Sequence, residues 1–175
     1  MNDQDDEDTS ERQRAAQPQV DRPQAPSVYG FSRATGPLLS WEYVEERLRA
    51  ARNYWLATVY PDGRPHVTPV WGVWVDGMLF VSGFPKARWA RNLAANPAVA
   101  AHLESGDEVV IVEGVADDVV TDADLGARIV AAWNVKYGRL APEPATDGIC
   151  RIRPRTVRAW TDIEGFADAT RWTWA

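Results

Sequence analysis

The chain has 175 residues, 45% of them hydrophobic and 25% charged, with a formal net charge of −6, one cysteine and two histidines. That length fits a single domain with enough residues for a real core. The acidic balance argues against nucleic-acid binding by bulk electrostatics, and one Cys with two His cannot assemble a disulfide framework or the usual Cys/His zinc set within one chain.

Residues 1–37 hold seven acids against four bases and supply −3 of the net charge. They open on Asp3, Asp5, Asp6, Glu7, Asp8 and Glu11 and then turn to Gln, Pro and Arg, a composition that buries too little apolar area to offset the entropy of ordering. The reading is a disordered acidic and Pro-rich leader, with one folded domain over 38–175. The leader has no apolar run of the signal-peptide kind, and no later segment reaches membrane-spanning length. A soluble, cytoplasmic protein is the expectation.

Ser40 is placed to cap a helix in which Trp41, Val44, Leu48 and Ala51 recur on one face. From Tyr54 the period becomes that of strands: 54–60, a turn at 61–64, then Pro65 to Trp74, with Pro69 requiring an edge or a bulge and Gly72 marking a bend. Asp76-Gly77 is a two-residue turn of the primed type into a third strand over 78–82. A short helix over about 87–95 stops before Asn96-Pro97, because the residue preceding proline is driven out of the helical region.

A strand follows over 99–104, then a β-branched run over 108–116 that Gly114 allows to curve. Thr121 and Asp124 resemble a capping box for a second amphipathic helix ending near Tyr137-Gly138. After a loop at 142–147, two short strands are expected, about 148–153 and 157–160, before a tail ending in Trp174. Short strands with hairpin connections and interposed helices predict a mainly β fold, an antiparallel barrel with flanking helices. There is no GxGxxG after a strand and no GxxxxGK[ST], so Rossmann and P-loop chemistry are set aside.

The chemistry concentrates where the third strand hands over to the helix, at Lys86, Arg88 and Arg91. Free N-H groups at a helical first turn and nearby cations can face one anion, although the same residues also fit an ordinary solvated helix face. Arg88 and Arg91 are three apart and share a face. The nine tryptophans fit a half-open apolar surface such as a subunit contact, and equally a barrel core and its rim. His66 beside a turn reads as a surface residue before a donor to a cofactor edge. His102 reads as structural, and Cys150 as a small core residue.

The hairpin, the Thr68-Pro69-Val70-Trp71 strand, the Ser82-Gly83 strand end and the Arg-Asn-Leu helix before Asn96-Pro97 together resemble the pyridoxamine-phosphate oxidase-like, FMN-binding split-barrel family, in particular its actinobacterial members that use FMN or a deazaflavin coenzyme. The resemblance implies a six-stranded antiparallel split barrel that forms a homodimer with the cofactor between subunits. It implies that Thr68, Pro69, Val70 and Trp71 line the ring, and that Ser82 and Gly83 flank the ribityl chain and phosphate. Lys86, Arg88 and Arg91 supply charge, and Arg171 and Trp172 reach the partner's site. By the same resemblance the protein is a flavin-dependent oxidoreductase acting on a small planar substrate, with a deazaflavin-dependent reductase, or a flavin- or haem-binding protein without turnover, as alternatives. Trp89 stands where many members carry lysine, and the late Arg-x-His pair of the true oxidases is missing, so pyridoxamine-phosphate oxidation itself is not implied.

Overall fold

The computed structural model describes residues 17–23, 36–83, 86–118, 123–138, 141–142, 148–161 and 166–175. The acidic residues that open the chain, Phe84 and Pro85, the Thr121 cap and most of the 142–147 loop lie outside them. In chain order the elements are β1 (Gln19–Asp21), α1 (Trp41–Ala50), β2 (Tyr54–Val59), β3 (Pro65–Val70), β4 (Gly72–Val75), β5 (Met78–Ser82), α2 (Arg88–Ala95), β6 (Ala98–His102), β7 (Val109–Asp118), α3 (Ala123–Tyr137), β8 (Ile149–Trp160) and β9 (Thr170–Thr173). Ser40 caps α1, its hydroxyl accepting from the Tyr43 N-H.

All strand pairs are antiparallel, in a nine-stranded sheet that runs β1-β9-β8-β7-β6-β2-β3, with β4 and β5 branching from it. The branch point is β8. One of its edges is paired to β7 along nearly its whole length, while the other serves β5 over Ile149–Ile152 and β9 over Thr156–Ala159. That shared edge splits the barrel. Gly114 sits at the β7 bulge, where a Cβ would lie 2.1 Å from the Arg153 carbonyl oxygen, so only glycine allows the two strands to close there.

The mainly β class expected from the sequence is what the fold shows, with more strands than the six anticipated. Three differences have local causes. The second strand of the hairpin is broken at Trp71 into β3, which pairs only β2, and β4, which pairs β5. Gly72 makes the break possible, since a Cβ there would lie 2.8 Å from the Phe80 carbonyl oxygen. Pro69 is accordingly on an edge strand, where its missing N-H costs nothing. The two expected final strands are one, because Pro154 falls opposite the Gly114 bulge and needs no ladder donor there.

The third difference concerns both ends of the chain. Val20 of β1 registers with Trp172 of β9, and Arg171 pairs with Asp21, so part of the expected leader and the expected tail form one edge of the sheet. Arg22 donates to the Ala167 and Gly36 carbonyls and holds that edge in place.

Alternation along the strands builds two cores. Leu56, Leu79, Val81, Val110, Val112, Ile152 and Val157 fill the barrel, closed by Val44 and Leu48 of α1 and by Leu93 of α2. Val73, Val75 and Phe80 face the other way and are covered by Ile129 and Trp133 of α3. Four of the nine tryptophans, Trp74, Trp89, Trp133 and Trp172, are buried in the chain's own core. The Trp41 ring packs against Trp74, Trp172 and Trp174 at centroid distances of 6.3, 5.5 and 5.1 Å.

Candidate cofactor-binding site

Helix α2 lies over the β2–β3 hairpin, and its amphipathic spacing divides it into two stripes. Trp89 and Leu93 are buried toward the barrel. One position back on the helix, Arg88 and Asn92 form the stripe that meets the hairpin: the Arg88 Cζ stands 5.0 Å from the Tyr60 ring centroid, and Asn92 Nδ2 donates to Thr58 Oγ1 at 3.0 Å. Ala87 contributes no side-chain cap, so the free N-H groups of the first turn face outward beside the cations.

The distribution of ion pairs sets this turn apart. Arg47, Arg49, Arg64, Arg128, Arg151, Arg153, Arg158 and Arg171 each have a carboxylate within salt-bridge distance. Among the described residues Lys86, Arg88 and Arg91 have none; Arg22, Arg52 and Lys136 also have no acid, but Arg22 and Lys136 donate to backbone carbonyls and Arg52 lies over the Trp71 ring, whereas the three at this turn stand together in a chain whose acids outnumber its bases. Clustered like charges repel unless an anion sits between them, so this donor set fits a phosphate-bearing cofactor.

The positions expected to line a ring do not act as one surface. In register Leu56 opposes Thr68 and Tyr54 opposes Val70, which puts Thr68 and Val70 on the inner face of the hairpin and Pro69, opposite Trp55, on the outer one. Val70 is buried in the barrel core. Trp71, at the strand break, stacks on Tyr137 of α3 with centroids 4.6 Å apart and planes 10° apart. Thr68 is half-buried on the inner face with Val70, and of the two it is the one nearer in register to the Thr58–His66 pair that meets α2.

Ser82 ends β5 half-buried. Gly83 is needed for packing: a Cβ there would lie 2.7 Å from Trp89 Cζ2. Both Gly83 and Trp89 line a cavity of about 420 Å³ between α2 and the strands β7 and β8, with Cys150 and Asp117 in its wall. Trp172 is placed inside the barrel, 1% exposed, and Arg171 is tied to Asp21, so in this fold neither forms the reaching C-terminal arm that the resemblance implied. The reason is β1, which turns the tail into an internal strand.

Sequence reasoning missed the hairpin side of the site. Thr58 is 2% exposed and Asn92 0% exposed, two buried polar groups joined to each other, and His66 lies directly across the ladder from Thr58 with Nδ1 3.4 Å from its hydroxyl. A polar Thr in the inward phase of β2 was the available signal. His102, by contrast, stacks beside Trp55 with its Nδ1 2.7 Å from the Leu103 carbonyl, as a structural residue would.

At the far end of the sheet, the last turn of α3 grips the Trp71-Gly72 break. Tyr137 Oη lies 3.0 Å from both the N-H and the carbonyl of Gly72 and 2.6 Å from the Arg52 carbonyl. Lys136 Nζ donates to Tyr54 Oη at 2.9 Å and to the Gly72 carbonyl at 3.1 Å. Burial brings the Lys136 ammonium down to about 8 and raises both tyrosine hydroxyls above their usual range.

Residues 40–161 match the family model described as pyridoxamine 5'-phosphate oxidase. The chain belongs to that family. Among solved structures, a conserved hypothetical protein from Mycobacterium tuberculosis is 29% identical with a TM-score of 0.60, the match covering 74% of this chain and 88% of that one. An F420 reductase is 32% identical with a TM-score of 0.52, covering 65% and 94%. A haem storage protein from Vibrio cholerae is 25% identical with a TM-score of 0.54, covering 65% and 89%. No curated protein matches the chain. Among the described residues no helix is long and apolar enough to cross a membrane, and no group of three or more His, Cys, Asp or Glu side chains is gathered to hold a metal ion.

Proposed function

We propose that the protein is an oxidoreductase that binds FMN or a deazaflavin coenzyme and transfers two electrons as hydride between it and a small, planar, conjugated substrate. The observation that carries this is the first turn of α2, where Lys86, Arg88 and Arg91 stand without carboxylate partners among the described residues beside unclaimed backbone N-H groups. When bound, such a cofactor supplies the redox chemistry, and the protein supplies position, dryness and charge. In this reading Arg88 and Arg91 hold the phosphate and Lys86 adds charge at its edge. Ser82 and Thr68 flank the coenzyme in this reading. A homodimer in which a second copy covers the coenzyme completes it.

The similarity to an F420 reductase favours the deazaflavin form of the proposal, while the cationic turn fits either phosphate-bearing coenzyme. Mass spectrometry of the cofactor released from the purified protein, with its absorption spectrum before and after reduction, is the test. Released FMN, or a colourless protein that takes up a deazaflavin and turns over with it, supports the proposal. A stoichiometric haem with a Soret band and no flavin or deazaflavin uptake would sink it.

A further inference from the structure

The buried pair Asn92 and Thr58 leads to a residue that the proposed phosphate site does not yet use. Thr58 Oγ1 accepts the Asn92 amide at 3.0 Å and lies 3.4 Å from His66 Nδ1. With Thr58 only 2% exposed and its Oγ1 already accepting from the Asn92 amide, the hydrogen-bond acceptor paired with its hydroxyl among the described residues is the His66 Nδ1, while the Asn92 Oδ1 is left without a partner. A ring that accepts at Nδ1 carries its proton on Nε2, across the ring from Thr58. The half-buried imidazole meets the edge of Tyr60 at a centroid distance of 5.7 Å and an interplanar angle of 80°. Arg88 stands over the same Tyr60 ring at 5.0 Å. Arg64 also lies near that ring, at 4.6 Å, but Asp62 neutralises it through its Nε at 2.9 Å, which leaves Arg88 as the uncompensated charge.

We infer that His66 is an anion-binding residue: its Nε2-H, turned from Thr58 by the Asn92-Thr58 relay, joins the Arg88 guanidinium in holding a phosphate group beside Tyr60. Thr58 and Asn92 are positioning residues, acting through the imidazole. A donor of set direction adds geometric selection for a tetrahedral oxyanion that a flexible cation alone does not give. The shared chemistry is a phosphate, either the coenzyme's own or free inorganic phosphate. The inference rests on the phosphate role of Arg88 proposed above.

The test uses the full-length protein, stripped of cofactor and labelled with ¹⁵N in its histidines. With the imidazole neutral, the expected His66 signal is the Nε2-H tautomer, and titration with inorganic phosphate shifts it saturably. Thr58→Val, which keeps the buried volume and removes the hydroxyl, is expected to release the tautomer and weaken phosphate binding, and His66→Gln to weaken it by about tenfold, the value of a hydrogen bond to a charged acceptor. Arg88→Ala with the His66 tautomer unchanged shows that the relay and the charge are separate parts. FMN and deazaflavin titrations of the same variants tell the coenzyme phosphate from the free ion: loss with inorganic phosphate alone assigns the site to free phosphate. An Nδ1-H tautomer, or phosphate and coenzyme affinities indifferent to both His66→Gln and Thr58→Val, would overturn the inference. Those results leave a flavin-dependent activity standing, whereas a haem protein with the expected His66 tautomer and phosphate response would remove that activity and keep this site.

Discussion

Two helix ends meet the sheet in this molecule, each bringing a cation to a bend of the chain, and they use it in opposite ways. At the last turn of α3 the Lys136 ammonium is consumed: it donates to Tyr54 Oη and the Gly72 carbonyl, while Tyr137 clamps the same glycine and stacks on Trp71. At the first turn of α2 the cations of Lys86, Arg88 and Arg91 are left without acids among the described residues, and only an aromatic ring, Tyr60, attends one of them. A partnered charge stabilises the fold and offers nothing to a ligand. An unpartnered one does the reverse, so changes at the two ends should separate stability from binding.

The largest effect is expected at α3. Tyr137→Ala removes the Trp71 stack and orphans the Gly72 N-H that donates to its hydroxyl, and should lower stability by about 3 kcal/mol, read as a shift of the urea midpoint. At α2, Arg88→Ala should leave that midpoint within about 0.5 kcal/mol while weakening cofactor binding by about 1.5 to 3 kcal/mol. A titration showing an unchanged dissociation constant would erase the contrast between the two ends. Gly83→Ala should cost about 1 to 3 kcal/mol, because its methyl group would meet Trp89, and should leave the cofactor's redox spectrum intact once the protein is folded.

The smallest expected effect is a pH dependence. Lys136 has a folded value of about 8 against 10.5 for the free side chain, so between those values the unfolded chain binds the extra proton. Stability therefore rises with pH from about 8 toward 10, where the raised Tyr54 and Tyr137 hydroxyls begin to reverse it, since the unfolded tyrosines ionise first. Denaturant midpoints measured across that window should show the rise in the parent chain and lose it in Lys136→Met. A midpoint equally flat in both would mean that the ammonium is more hydrated than its burial implies.

Much of the fold could be read from the chain because its signals are local. The Ser40 cap, the Asp76-Gly77 turn and the stop of α2 at Asn96 depend on residues within a few positions of one another, and Asp76 and Gly77 both take the positive φ that a primed turn needs. The cationic first turn of α2 belongs to the same class. What stayed hidden was non-local. That Pro154 would pass through β8 without ending it depended on a bulge some forty residues upstream, and that Trp172 would enter the barrel depended on β1 closing the edge from the other end of the chain.

The candidate site divides along the same line. Sequence by itself determined that Arg88 and Arg91 share a helix face, that Pro69 lies on an edge and that the chain is mainly antiparallel β, because periodicity, turn chemistry and the missing proline N-H act over a few residues. Only the tertiary structure decided which cations would find an acid, which of Thr68, Pro69, Val70 and Trp71 would turn inward, and that Thr58, His66 and Asn92 would meet. Those outcomes depend on strand register and on where α2 comes to rest, and register is fixed by burying one face of every strand at once rather than by any residue's own preference.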